Sequence, residues 1–247
     1  MGIGEEFIRK TRYGDPGTTD QMRGIPAPEL EPEFSGTIHS LPDPDTGTIS
    51  RIDLSAAIES RESIRRYSDK PLTLAEVSYL LWCTQGVKWI FDDVTFRTVP
   101  SSGARHAIDT YLLVNRVEGL KPGLYRFLAL EHALGTILED EYTSELIERA
   151  CFDQKFISGS AACFIWVADI YRMTWRYGER GFRDIFLDAG HVCQNLYLSA
   201  QAVDSGVCAI GAFRDEEIND LLDLDGEKKF VIYLAAVGKN PEEDSED

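Results

Sequence analysis

The 247-residue sequence lacks any long hydrophobic run. No apolar stretch approaches the roughly 20 residues that a transmembrane helix needs, and the N-terminus has no apolar core of the kind found in signal peptides. We therefore predict a cytoplasmic protein without a membrane partner. The composition, 43% hydrophobic and 27% charged, is that of an ordinary globular protein long enough to bury one large core.

Positive charge is scarce. The chain has 25 Lys and Arg residues against 42 Asp and Glu residues, which gives a net charge of −17. Nucleic acids and anionic membranes need a basic face that releases counterions, so neither is predicted as a partner. A phosphorylated ligand must be held by a local cluster of cations against the long-range field.

Common cofactor and metal motifs are also missing. The sequence contains no G-x-G-x-x-G, G-x-x-x-x-G-K-[ST], H-E-x-x-H or G-x-S-x-G, which argues against a Rossmann site, a P-loop, a zincin and a nucleophile elbow. The five cysteines form no C-x-x-C pair and are interpreted as buried reduced thiols. The four histidines show no metal-ligand spacing, and no metal site is predicted.

The chain divides into three parts by composition. Residues 1–50 hold six of the ten prolines and no sustained period, so we predict an extended arm that lies against the main body or a partner subunit. Residues 51–240 form the main domain. Residues 241–247 carry five acids and no apolar group, and they are predicted to be a disordered tail.

Helical and strand patterns alternate along the main domain, which predicts an α+β fold. Asp53 is expected to cap a helix through Ser60, and Thr73 with Glu76 forms a capping box for a helix that ends at Gly86. Further helices are predicted over residues 183–205, stopped by Gly206, and over residues 215–222. Strands are predicted over residues 108–117, 123–128, 161–170, 207–210 and 230–237.

Three arginines and two serines lie close together in residues 60–67, between the first two predicted helices. A guanidinium group keeps its charge and offers a planar fork of donors that matches phosphate oxygens. The segment is therefore a candidate phosphate site. Taken alone, such a segment is more often a solvated helix boundary. The P-S-S-G sequence at residues 100–103, taken alone, is more often a plain turn.

Five short motifs occur in a fixed order. They are R-x-S-x-R at Arg61, Ser63 and Arg65; L-W-C-T-Q-G at residues 81–86; P-S-S-G-A-R at 100–105; L-D-A-G-H at 187–191 with Q-N-L at 194–196; and A-I-G-A-F at 209–213. In this order they resemble the FMN-dependent nitroreductase superfamily. The phrases L-L-W at 80–82, G-L-Y at 123–125 and W-R-Y-G-E-R at 175–180 are similar to its SagB-type dehydrogenase branch. The resemblance implies a mostly antiparallel central sheet flanked by helices and an intertwined homodimer.

The resemblance also implies roles for individual residues. Arg61 and Ser63 would hold the FMN phosphate, and Lys239 would approach it from the end of the last strand. Arg65 would lie near N1 and O2 of the isoalloxazine, where a fixed cation favours the reduced flavin. Gly211 and Ala212 would lie close to the ring near N5.

The loop with Pro100, Ser101, Ser102 and Gly103 would reach the flavin of the partner subunit. The family often has Asn where this chain has Ala104, which removes one side-chain hydrogen bond.

Arg176 and Tyr177 are the candidate catalytic residues. SagB-type azoline dehydrogenases resemble one another in a Lys-Tyr pair proposed to move the substrate proton, and this chain has arginine in place of that lysine. Arginine does not deprotonate and is no general base, whereas Tyr177 alone can donate or accept a proton. The alternative is that both residues only shape the pocket.

The predicted function is hydride transfer from NADH or NADPH through FMN to a small organic acceptor by a ping-pong mechanism. Two alternatives remain open. One is a thiazoline or oxazoline peptide dehydrogenase acting with a cyclodehydratase partner, and the other is a non-catalytic flavin-binding protein.

Overall fold

The computed structural model describes residues 2–14, 17–44, 47 and 49–241. The helices are α1 (Ile3–Lys10), α2 (Leu54–Ser60), α3 (Leu74–Gln85), α4 (Thr143–Ala150), α5 (Ile170–Tyr177), α6 (Gly181–Ala200) and α7 (Asp215–Leu221). The strands are β1 (Ile38–Ser40), β2 (Val87–Phe91), β3 (Val94–Arg97), β4 (Ile108–Val114), β5 (Gly123–Leu128), β6 (Ala133–Leu138), β7 (Ala162–Asp169), β8 (Ser205–Ile210) and β9 (Lys229–Lys239). Short 3₁₀ turns cover Ser102–Ala104, Gly178–Arg180 and Gln201–Val203.

Seven strands form one sheet in the order β1-β6-β5-β4-β7-β9-β8, and each neighbouring pair is antiparallel. Strands β2 and β3 form a separate hairpin. The predicted α+β fold with a central antiparallel sheet flanked by helices is confirmed.

The sheet buries both of its faces. Along β7, alternate side chains point to opposite sides, so that Phe164 and Trp166 join one core and Cys163 and Ile165 join the other. Helices α3 and α6 cover the first core, and α4 and α7 cover the second. The predicted apolar stripe of the long helix, from Ile185 to Val203, lies in the first core.

The predicted helix starts are confirmed. The Asp53 side chain accepts a hydrogen bond from the Ala56 amide at 3.0 Å, and both bonds of the Thr73 and Glu76 capping box are present. Each satisfies a backbone donor that has no partner inside the helix.

The end of the long helix differs from the prediction. It stops at Ala200, a 3₁₀ turn follows, and the left-handed residue that reverses the chain is Asp204 (φ 48°). Gly206 lies inside β8 instead, where a Cβ atom would come within 2.5 Å of the Ile64 side chain. The glycine permits close packing and does not stop the helix.

The N-terminal arm packs on the body through its middle. The indole of Trp175 donates to the Ile25 carbonyl at 2.9 Å, and Arg183 donates to the Thr11 hydroxyl. The arm is not extended throughout, because residues Ile3–Lys10 form helix α1. This helix carries acids in its first turn and bases in its last turn, an arrangement that interacts favourably with the helix dipole. The division into arm, domain and tail stays a prediction, and the tail from residue 242 lies outside the described residues.

Within the described part of the chain, no helix combines the length and apolar character that crossing a bilayer requires.

Candidate functional site

The arginine-rich segment runs along the free edge of the sheet. Ser63 pairs with Val207 of β8 in a parallel bridge, and the Ile64 amide donates to the Val207 carbonyl at 3.0 Å. Ile64 fits there because Gly206 has no side chain. These contacts fix the backbone of the segment against the edge strand, so its side chains are held in place.

A cavity of about 790 Å³ opens beside this segment. Its lining includes Arg61, Lys70 and Lys239 together with Glu62 and Asp204, and its wall contains Tyr197 and Gln201. Three cations therefore meet in one cavity of a strongly acidic protein. The volume falls in the range of small-molecule sites, roughly 300–1,000 Å³.

Arg61 lies over the ring of Tyr197, with Cζ 5.5 Å from the ring centroid. Its guanidinium forms no ion pair with any residue that the structure describes. Lys239, by contrast, is paired with Glu76 and also donates to the Val203 carbonyl at 2.7 Å. An ammonium group has three donors, so one N–H of Lys239 remains for a ligand.

Ser63 does not itself line the cavity, but it contacts the lining residue Tyr197. The two side-chain oxygens lie 3.0 Å apart, and the Tyr197 oxygen accepts a hydrogen bond from the Ala209 amide at 2.9 Å. The phenol can then donate its own hydrogen to Ser63, which leaves the serine hydroxyl hydrogen for a ligand.

Arg65 does not line this cavity. Its exposed side chain lies near the Cys208 thiol on β8, where its positive charge opposes in part the rise in the thiol pKa that burial causes. Gly211 and Ala212 follow the end of β8 and are exposed, and the Ala212 carbonyl accepts from Gln154 at 3.2 Å. These three candidates therefore lie along and beyond β8, outside the lining of the Arg61 cavity.

The loop that contains Pro100, Ser101, Ser102 and Gly103 is fixed to the N-terminal half of α6. The Ser101 hydroxyl donates to Asp188 at 2.6 Å, and the Ser102 amide donates to the same carboxylate at 3.2 Å. Burial raises the pKa of Asp188, while the two serine hydrogen bonds lower it in part.

Arg176 and Tyr177 end helix α5 beside this loop. A Cβ atom on Gly103 would come within 2.3 Å of the Tyr177 hydroxyl and 3.1 Å of Arg176 Nε. Gly103 has a left-handed backbone (φ 58°), so both its conformation and its surroundings require glycine. The structure thus joins the two candidate catalytic residues to the serine loop.

The candidate residues form two groups along α6 in one chain. Asp188 anchors the loop, whereas Tyr197 borders the Arg61 cavity nine positions later. At 1.5 Å per residue this separates the two points by about 14 Å along the helix axis. Within one chain, the loop and the cavity do not form a single pocket.

Asp188 and Tyr197 were not identified from the sequence. Asp188 lies inside the L-D-A-G-H motif of an otherwise apolar helical stretch. A carboxylate that is buried in such a stretch needs partners, and this is the signal that could have identified Asp188 from the sequence. Its partners lie 86 and 87 positions earlier in the chain. Tyr197 carries no local signal.

No group of three His, Cys, Asp or Glu side chains in the described ranges is arranged to hold a metal ion. His106 is buried, and that burial, together with nearby arginines, lowers its pKa to about 3.

A family model described as the nitroreductase family matches residues 58–239. A "putative nitroreductase" of Methanocaldococcus jannaschii is 37% identical over 194 residues, covering 78% of this chain and 94% of that protein. The trifolitoxin operon protein TfxC of Rhizobium leguminosarum bv. trifolii is 24% identical over 248 residues, covering 93% of this chain and 68% of that protein.

Solved structures share the fold. A "putative nitroreductase" of Ralstonia eutropha has a TM-score of 0.69 at 22% identity. The match covers 88% of this chain and 100% of that chain. A chain of the Escherichia coli microcin synthetase McbBCD complex with truncated pro-MccB17 has a TM-score of 0.63 at 17% identity, covering 97% and 92%. A Desulfovibrio desulfuricans structure in complex with FMN has a TM-score of 0.54 at 18% identity, covering 77% and 88%.

Proposed function

Because the chain belongs to the nitroreductase family, we propose that it is an FMN-dependent oxidoreductase that passes a hydride equivalent from NADH or NADPH to a small organic acceptor in a ping-pong cycle. The single observation that supports it most is the guanidinium of Arg61, unpaired among the described residues and facing a large cavity. A cation so placed in a protein of net charge −17 is suited to a dianionic phosphate.

The residues around the cavity fit a mononucleotide. Arg61 supplies a planar set of donors and Lys239 one remaining N–H, and Ser63, next to the lining residue Tyr197, is proposed to add a hydroxyl. Glu76 holds the Lys239 ammonium at the cavity wall and neutralises part of its charge, so Arg61 carries most of the phosphate recognition.

FMN supplies the redox chemistry when it is bound, and the protein supplies orientation, charge and exclusion of water. We assign Arg65 to the pyrimidine edge of the ring, where a fixed positive charge favours the reduced state. Gly211 and Ala212 leave room for a planar group because neither carries a bulky side chain.

Tyr177 is proposed to hold or move the proton at the acceptor. Arginine does not serve as a general base, so we propose that Arg176 orients an electron-rich group beside Tyr177, whose ring centroid is 5.6 Å from its guanidinium carbon.

A homodimer is part of the proposal. The serine loop with Tyr177 and the Arg61 cavity do not meet in one chain, and a second copy can bring its loop to the cavity of the first. A C2 pair forms two such sites.

Titration with FMN tests the cofactor. The purified protein is expected to bind FMN, and Arg61→Ala is expected to weaken the affinity by about 10- to 100-fold, the cost of a charge-assisted contact to phosphate. Arg66→Ala is the matched control, because Arg66 belongs to the same segment but does not line the cavity. A colourless protein that takes up no FMN, or equal losses in both variants, contradicts the assignment.

Stopped-flow mixing then tests the chemistry. Bleaching of the flavin band by NADH or NADPH, followed by reoxidation with a panel of quinones and nitroaromatics, is expected. A yellow protein that neither nicotinamide bleaches is a flavin-binding module without this activity.

The second candidate is a peptide azoline dehydrogenase. It is favoured by the similarity to TfxC over 93% of the chain and by the shared fold with a chain of the microcin synthetase complex. Arg176 in place of lysine speaks against it. Incubation with a thiazoline-containing peptide distinguishes the two, since dehydrogenation lowers the peptide mass by two hydrogens.

A further inference from the structure

The loop at residues 100–106 has an unusual backbone. Gly103, Ala104 and His106 all have positive φ angles, of 58°, 54° and 44°. For a residue with a side chain this region is unfavourable. A loop with two such residues keeps its shape only if contacts around it determine that shape.

Asp188 provides the main contacts from α6. Its carboxylate is 4% exposed and accepts hydrogen bonds from the Ser101 hydroxyl at 2.6 Å and the Ser102 amide at 3.2 Å. The Ser101 oxygen in turn accepts from the His106 amide at 2.9 Å. One buried carboxylate thus fixes both ends of the loop.

Helix α5 holds the loop from the other side. Arg105 Nε donates to the Arg172 carbonyl at 3.3 Å, and its guanidinium carbon lies 4.8 Å from the centre of the Trp175 ring. Gly103 then contacts Tyr177. The loop therefore lies directly beside the Tyr177 hydroxyl.

The two serines differ in what they can offer a ligand. The Ser101 hydroxyl gives its hydrogen to Asp188 and accepts from His106, so it is occupied. The Ser102 hydroxyl has no hydrogen-bond partner among the residues that the structure describes. Its neighbour Gly103 places no side chain beside it.

We propose that Asp188 is a positioning residue that holds the 100–106 loop through Ser101, and that Ser102 alone of the two serines contacts the ligand. The proposal rests on the proposed function for the identity of the ligand, FMN. The positioning itself concerns only this chain.

Hydrogen exchange in the full-length protein without added flavin tests the positioning. Mass spectrometry of a peptide that covers residues 100–107 reports the Ser102 amide. Asp188→Asn removes one of two acceptor oxygens and the charge, and it is expected to speed exchange in this peptide about tenfold, the effect of losing a charge-assisted hydrogen bond. Ser101→Ala, which removes one hydroxyl and leaves α6 intact, is expected to do the same.

Two control variants separate this effect from general loosening. Asp184→Asn changes a buried carboxylate one turn earlier on α6 that is paired with Arg180, and it is expected to leave exchange in the loop unchanged. Ser102→Ala is also expected to leave exchange unchanged, yet it should weaken FMN binding about tenfold.

Wild-type exchange in both Asp188→Asn and Ser101→Ala overturns the positioning. Full FMN affinity in Ser102→Ala overturns the assignment of the ligand contact. If the wild type binds no FMN but the exchange results are as expected, the proposed function fails while the role of Asp188 stands.

Discussion

At the scale of a single residue, His106 is kept neutral inside a group of arginines. Burial is the main reason that its pKa falls to about 3, and the positive charges of Arg97, Arg105 and Arg172 add to it. The nearby Thr95 backbone opposes the fall of this pKa in part. The folded protein thus excludes a proton that the unfolded chain binds near pH 6.5.

This difference predicts a pH dependence. Because the pKa of His106 is lower in the folded than in the unfolded state, its contribution to the free energy of unfolding is present above about pH 6.5. This contribution is lost as the pH falls toward 3. The free energy of unfolding should decrease by about 1–2 kcal/mol from this group between pH 6.5 and 5. His106→Asn tolerates the positive φ and should lose this part of the dependence in urea titrations.

His191→Asn is the control, because His191 is an exposed residue of α6. It should keep the wild-type pH profile. Equal profiles for wild type and His106→Asn would mean that the pKa of His106 does not differ between the folded and unfolded states.

Residue types could be read from the sequence, but their partners could not. The R-x-S-x-R spacing identified Arg61 and Ser63 as candidates, and both border Tyr197 in the structure. Nothing local distinguishes Arg61, which lines the cavity, from Arg65, which lies near the Cys208 thiol. That difference depends on packing between the segment and β8, about 140 positions away.

At the scale of the element, the first turn of α3 connects a helix cap to the end of β9. One oxygen of Glu76 accepts the Thr73 amide at 2.9 Å, and the other is paired with Lys239. The Thr73 hydroxyl completes the box by accepting the Glu76 amide at 3.2 Å. The cap therefore also fixes the carboxylate that holds Lys239 at the cavity.

Removing the cap hydroxyl should destabilise the protein. Thr73→Ala is expected to lower the free energy of unfolding by about 1 kcal/mol, the usual value of a side-chain N-cap. Thr73→Ser keeps the hydroxyl and should stay within about 0.5 kcal/mol of wild type. Urea denaturation followed by circular dichroism measures both, and equal stabilities of the alanine and serine variants would contradict the role of the cap.

Elements with strong local signals were predicted, whereas short helices and strands that depend on pairing were missed. Strand β5 matches its predicted bounds, and β7 lies within one residue of them at each end. Strand β1, the β2–β3 hairpin, β6 and the helices α1, α4 and α5 were not predicted. Strand β1 has three residues and exists because it pairs with β6, and such long-range pairing leaves little trace in a short segment.

At the scale of the whole molecule, a large apolar surface is left on the β2–β3 hairpin. Trp89, Ile90 and Phe91 are each more than half exposed, at 54%, 53% and 65%. Exposed large apolar side chains gathered on one element are common at interfaces between proteins. Together with the division of the candidate site along α6, this surface favours a second copy of the chain as the partner.

Mixed dimers test whether each site is shared between two chains. Arg61→Ala removes the phosphate contact, and Gly103→Val disrupts the loop, because the added side chain meets the Tyr177 hydroxyl. At an FMN concentration that saturates the wild type but lies well below the Kd of Arg61→Ala, each variant alone should be nearly inactive as a homodimer. In a dimer of one Arg61→Ala chain and one Gly103→Val chain, one shared site has both changes, and the other combines a normal Arg61 with a normal loop. Random assembly of equal amounts should therefore restore about a quarter of the wild-type activity. If each chain builds its site alone, no mixed dimer contains an intact site, and the mixture stays inactive even when both variants remain folded and dimeric by circular dichroism and size-exclusion chromatography.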